Sequence, residues 1–95
     1  MNKKILTNNF EKKINDLKKK KKSIVMCHGV FDLIHIGHIQ YFREAKRYGD
    51  ILIVSVTSDM FVKKGINRPT FNIADRLIAL SSLNYVDYVI ESNND

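Results

Sequence analysis

Gly29-Val30-Phe31-Asp32-Leu33-Ile34-His35-Ile36-Gly37-His38 is the stretch on which the reading of this chain turns. Before it runs Ile24-Val25-Met26-Cys27, short and wholly apolar; after it Ile39, Phe42 and Ala45 recur at helical spacing. Ser23–His28 is therefore expected as a strand, and its continuous apolarity marks one covered on both faces, as in a parallel sheet. The ten residues then connect a strand to a helix, where open parallel sheets bind their ligands. Gly29 is expected to let the chain turn and to leave room for a ligand beside the backbone. The helix start offers N–H groups and a positive dipole end to an anion. His35 and His38, three residues apart, can project from one side of that first turn. Gly37 between them has no side chain to block a phosphate. Two imidazoles, a helix N-terminus and a glycine gap together suit a triphosphate.

The helix is expected from about Gly37 to Tyr48, with Gly49 as its stop. Ile51 to Val56 reads as a second strand, with Asp59 as N-cap of a short turn at 60–63. A loop follows at Gly65 to Pro69. A third helix is expected at 73–83, with Ile73, Leu77, Leu80 and Leu83 on one side, and a third strand at Tyr85 to Ile90. Ahead of the motif, Phe10, Ile14 and Leu17 mark a helix over 8–21, capped by Asn8 or Asn9. Strands alternating with helices imply crossover connections. The expected fold is α/β, a Rossmann-like three-layer sandwich with a parallel sheet of three strands and an extra N-terminal helix. The expected division is a basic helical arm at 1–22 and one domain at 23–95.

Charge divides at the same place. The net +6 conceals nine lysines against Glu11 and Asp16 in residues 1–22, a balance of +7. The remaining residues hold seven Lys and Arg against eight Asp and Glu, a balance of −1. The run Lys18 to Lys22 reads first as a solvated helix end, where the dipole favours cations. A nucleic-acid or anionic-membrane patch is the sharper alternative, and no aromatic residue interleaves the lysines to support single-stranded binding. With 44% hydrophobic and 27% charged residues, the composition is that of a folded globular domain. No apolar run is long enough for a membrane span, which needs roughly 18 residues. No signal-peptide pattern stands at the N-terminus. One cysteine, Cys27, cannot make an internal disulfide. The cytoplasm is the expected compartment.

Two histidines three apart also fit half of a metal site, with Cys27, His28 and Asp32 the nearby candidate ligands. Two unrelated structural histidines are the plainer alternative. The ten-residue context separates these readings. It resembles the G-x-F-D-x-x-H-x-G-H signature of the cytidylyltransferase-like nucleotidyltransferases. The likeness covers roughly residues 23–91 and continues through Glu44-Ala45-Lys46, Gly49-Asp50 and Ser58-Asp59. Lys64-Gly65, Arg68-Pro69, Arg76 and Val86-Asp87-Tyr88-Val89 are most similar to the adenylyltransferase domain of bacterial ADP-heptose synthase; glycerol-3-phosphate cytidylyltransferase is another member. His35-Ile36-Gly37-His38 is also similar to a string in class I aminoacyl-tRNA synthetases. Phe31-Asp32, the small size and the lack of a Lys-Met-Ser-Lys-Ser loop argue against that group.

The resemblance implies transfer of a nucleotidyl group from ATP or CTP to a sugar- or polyol-phosphate, with release of pyrophosphate. His35 and His38 would be the catalytic pair on the phosphates. Gly29, the backbone of Val30 and Phe31, Gly37 and Arg76 would bind nucleotide, with the Phe31 ring in the core. Asp32 would brace the loop by accepting backbone N–H groups. Lys63 and Lys64 would meet the acceptor phosphate, Lys64 foremost. Mg2+ would come with the triphosphate, held by phosphate oxygens and water, and no protein ligand set for a metal is visible.

The chain departs from the family in ending after the third expected strand. Relatives continue with another strand and a Ser/Thr segment that opens a helix on the phosphates. The chain is accordingly expected to be a truncated product or a fragment of a longer protein, its first strand an uncovered edge. Fusion to or association with a sugar kinase is implied by analogy, as is a homodimer. His28 stands where Asn or a Tyr-like residue is more usual. A nucleotide-binding fragment without turnover is the alternative function, and an RNA-binding module using the lysine arm a more distant one.

Overall fold

A computed structural model describes residues 2–62 and 69–93. Four parallel strands, β1 (Ile5–Leu6), β2 (Ile24–Gly29), β3 (Ile51–Thr57) and β4 (Tyr88–Ser92), form one sheet in the order β1-β4-β3-β2. Three helices, α1 (Phe10–Lys19), α2 (Ile36–Lys46) and α3 (Ile73–Ser81), join them, with a 3-10 turn at Asp59–Phe61. The Rossmann-like α/β class expected from the sequence is the class observed.

The sheet's alternation sorts its side chains onto two faces. Register pairs Val25 with Leu52 and Cys27 with Val54. These residues, with Val56 and Val89, form one core with Phe42 of α2 and Leu77 and Leu80 of α3. The opposite face carries Ile24, Met26, Ile53 and Tyr88. Helix α1 lies on that side: Phe10, Ile14 and Lys18 share an apolar groove with Ile24 and Met26, and Lys13 Nζ sits 5.1 Å from the Tyr88 ring centre. Helices on both faces make three layers.

Four strands stand where three were expected. The fourth, β1, is two residues long, and so short an apolar pair carries no periodicity to read. It pairs with β4, so the segment ahead of residue 23 contributes to the sheet as well as the helix. The last strand starts at Tyr88, not Tyr85, because Asp87 is used otherwise. Its N–H donates to Leu52 O, and its carboxylate accepts from Leu52 N–H and from Lys46 Nζ.

Helix ends differ from expectation through local bonding. Asn9 occupies the cap position of α1, but its side chain accepts from Thr7 N–H instead of from the helix. After α1 comes a Schellman-type close, Lys22 N–H to Leu17 O and Lys21 N–H to Lys18 O, with Lys21 at φ 59. Ser58, not Asp59, holds the N-cap position of the 3-10 turn, without a side-chain bond to it. Asn72 caps α3 by accepting from Asp75 N–H at 2.8 Å. Lys18 to Lys22 are exposed and lead directly into β2, at the end of the sheet opposite the motif.

Candidate active site

The motif lies where the fold class places ligands, beyond the C-terminal end of β2. Val30, Phe31, Asp32, Leu33, His35 and His38 line a cavity of about 330 Å3, with Val62 after the 3-10 turn as the opposing wall. The groove between α1 and β2 is as large, but its lining is mainly apolar and presents no convergent polar set.

His35 is the N-cap of α2, extended at φ −136, ψ 179. Its Nδ1 accepts from Gly37 N–H at 3.0 Å. In return the backbone N–H of His35 donates to Nδ1 of His38 at 3.2 Å. The two rings stand 4.1 Å apart between centres. An Nδ1 that accepts carries no proton, so each neutral ring holds its proton on Nε2. Each imidazole thus passes a backbone donor on to its own Nε2–H. Burial, and then the neighbouring charge of His35, hold the His38 pKa below its usual 6.5.

This cap corrects two expectations. The Gly37 amide, expected to face an anion, is bonded to His35, and the His38 N–H turns back to His35 O at 3.0 Å. The helix start reaches the cavity through the imidazoles. Nor does either glycine open onto empty space: both abut protein side chains. A Cβ on Gly37 would stand 2.8 Å from His35 Cε1, and one on Gly29 2.9 Å from Phe31 Cζ.

Phe31 is 8% exposed, as a core residue, and takes φ 51, rare for a bulky side chain. Its ring centre lies 5.3 Å from that of Phe42 and 5.7 Å from that of His38, to which it stands T-shaped. Asp32 accepts from Thr70 N–H at 2.7 Å and Phe71 N–H at 2.9 Å. Its bracing is by backbone amides, as expected, but those amides lie nearly forty residues away.

Arg76 does not meet the expectation of a phosphate contact. It is 1% exposed, and its donors are spent on protein: Nε on Phe71 O, one terminal nitrogen on both Val30 O and Thr57 O, the other on Asp59 at 2.5 Å. Thr57, Asp59, Phe71 and Val62 belong to the site's frame without having been expected there. Only Asp59 carries a signal in the sequence, a lone acid after a strand, and that signal reads as a cap. Lys63 and Lys64 lie outside the described residues. Among the described residues no three His, Cys, Asp or Glu are grouped to hold a metal ion. No helix there is long and apolar enough to cross a membrane.

A profile of the cytidylyltransferase-like family matches residues 26–95, from the middle of β2 onward. The chain belongs to that family. Among its relatives are the bifunctional protein HldE of a Nitratiruptor species, 48% identical over 84% of this chain, and that of Campylobacter jejuni subsp. doylei, 43% identical over 90%. The chain spans about a fifth of the length of these curated relatives, 18% and 21%. The crystal structure of the lipopolysaccharide core biosynthesis protein from Thermoplasma volcanium superposes with a TM-score of 0.70 at 39% identity, over 76% of this chain and 59% of that one. A cytidylyltransferase-like domain is a domain of the nucleotidyltransferase kind. The cavity at its signature residues is the candidate site.

Proposed function

We propose that this domain transfers a nucleotidyl group from a nucleoside triphosphate to a sugar- or polyol-phosphate. A phosphate oxygen of the acceptor attacks the α-phosphorus, the bond from that phosphorus to the bridging oxygen breaks, and pyrophosphate leaves in line. Such chemistry needs little more than positioning and neutralisation of charge on the phosphoryl oxygens. One observation carries the reading: reciprocal capping ties up both Nδ1 atoms, so His35 and His38 each keep an Nε2–H donor beside one cavity. Neutral imidazole donors of this kind complement developing negative charge without a proton having to move.

In this reading Mg2+ would be bound mainly by phosphate oxygens and water, beside the two imidazoles of the cavity. It would neutralise charge on the leaving pyrophosphate. Lys64, with Lys63, is assigned to the acceptor phosphate on sequence likeness. The similarity at Arg68-Pro69 favours ATP over CTP. The relatives' printed name, bifunctional, accords with a second activity beside this domain; a sugar kinase is the partner we assign.

Pyrophosphate release from ATP or CTP, measured with a panel of sugar phosphates, tests the proposal. Release that depends on acceptor, and drops at least about a hundredfold in a folded His38→Ala variant, supports it. Undiminished release in that variant refutes the role of the pair. A nucleotide-binding module without turnover is the second reading. It predicts thermal stabilisation by nucleotide with no pyrophosphate formed.

A further inference from the structure

We infer that Arg76 is a positioning residue for the histidine pair, acting through the strained peptide at Phe31 and not through a phosphate. This rests on the reading of the cavity as a polyphosphate pocket.

The starting observation is Phe31 at φ 51, a left-handed conformation in a residue that has no glycine-like freedom. Such a conformation persists only where its surroundings over-determine it. Here they do so from both sides. Just before Phe31, the Val30 carbonyl accepts from Arg76 at 2.8 Å. Just after it, Asp32 accepts the Thr70 and Phe71 amides. Left-handed backbone sets the Phe31 ring onto Gly29 and nearly perpendicular to the His38 ring. His38 in turn receives the His35 N–H.

Arg76 anchors this chain of contacts because it joins four segments at once. Its acceptors are Val30 beyond β2, Thr57 at the end of β3, Asp59 in the 3-10 turn and Phe71 before α3. A guanidinium buried this deeply is tolerated only when its donors are paired. A hydrophobic side chain would fill the volume but hold none of the three carbonyls. Lysine would keep the charge and lose the planar fork that spreads the donors among them. The cost of a buried cation is thereby converted into a fixed position for the peptide under His38.

The test uses nitrogen-15 NMR of the imidazoles together with titration by inorganic pyrophosphate. His28 is an internal control, since its Nδ1 lies 3.0 Å from Ser55 Oγ on the other face of the sheet. In wild type, His38 should appear as the Nε2–H tautomer. In Arg76→Lys it should move toward mixed tautomers while His28 stays put, and pyrophosphate affinity should fall by about ten- to a hundredfold, the scale of small misplacements. If Arg76→Lys does not fold, Asp59→Asn keeps the bonds to Val30 and Thr57 and loosens only their anchor. It should shift His38 in the same direction by less. A His38 signal matching wild type in whichever variant folds overturns the inference, as does a pyrophosphate-induced shift centred on the Arg76 guanidinium. Failure of wild type to respond to pyrophosphate at His35 or His38 refutes the pocket reading instead, while the tautomer comparison still judges Arg76.

Discussion

His35 and His38 cap each other's turn: the His35 backbone N–H donates to His38 Nδ1, while His35 Nδ1 takes the Gly37 N–H. A side chain that serves as a cap and as a ligand donor can have the two roles separated by substitution.

Asparagine at position 35 should separate them. Asparagine is an effective N-cap, whereas alanine at such a site costs about 1 kcal/mol. His35→Asn is therefore expected to unfold within a few degrees of wild type and His35→Ala several degrees lower. Both should lose pyrophosphate release, because neither has an Nε2–H. Equal activity in His35→Asn and wild type would show that the cap alone matters.

The pH dependence follows from the depressed His38 pKa. Burial disfavours the charged ring, and the charge of His35 adds to that, so the folded state resists protonation more than the unfolded chain does. The contribution is present above the ordinary value of 6.5 and is lost as pH falls below it through the lower folded value. NMR titration should place His38 below 6.5, and melting temperature should drop with acid over that window. His38→Gln should flatten this part of the curve. A midpoint at or above 6.5 would contradict that burial.

Alanine at the two motif glycines should have unlike effects. At Gly37 the new methyl meets the exposed His35 imidazole, 2.8 Å from Cε1, which can swing away. Stability should fall by no more than about 1 kcal/mol, the contribution of the lost cap, and nucleotide binding should weaken. At Gly29 it meets the buried Phe31 ring at 2.9 Å, wedged between Phe42 and His38. Overpacking of that kind costs about 1–3 kcal/mol. Thermal melts of both variants, set beside nucleotide-induced shifts, check the contrast.

Asp32→Ala should release the Thr70 and Phe71 amides, bonded at 2.7 and 2.9 Å. Hydrogen exchange at these two positions should speed up, with a loss of about 1 kcal/mol per bond, since both residues are exposed and water can replace the carboxylate. Unchanged exchange would mean that the link between loop and α3 is held elsewhere.

Much of this architecture is legible in the chain before any coordinates. Ile51 to Val56 is apolar nearly throughout because both sheet faces are covered, and it is the central strand β3. Leu77 and Leu80 keep the side of α3 that their spacing assigns, and Phe31 is core, as it reads. The pairing of His35 with His38 follows from a separation of three residues. Local patterns of this sort survive because they report on one element and the face it buries.

The helices and longer strands, the strand-to-helix position of the motif and the neighbourhood of its two histidines are each set within about ten residues of chain, and so stand in the sequence. That Ile5–Leu6 joins the sheet, that Asp32 reaches Thr70 and Phe71, and that Arg76 bonds Val30, Thr57, Phe71 and Asp59 emerges with the folded arrangement. Those bonds link residues 17 to 84 positions apart, apart from the one from Arg76 to nearby Phe71. A guanidinium in a sequence looks the same whether it will meet a phosphate or three carbonyls. What distinguishes the two is which backbone ends the fold brings to it.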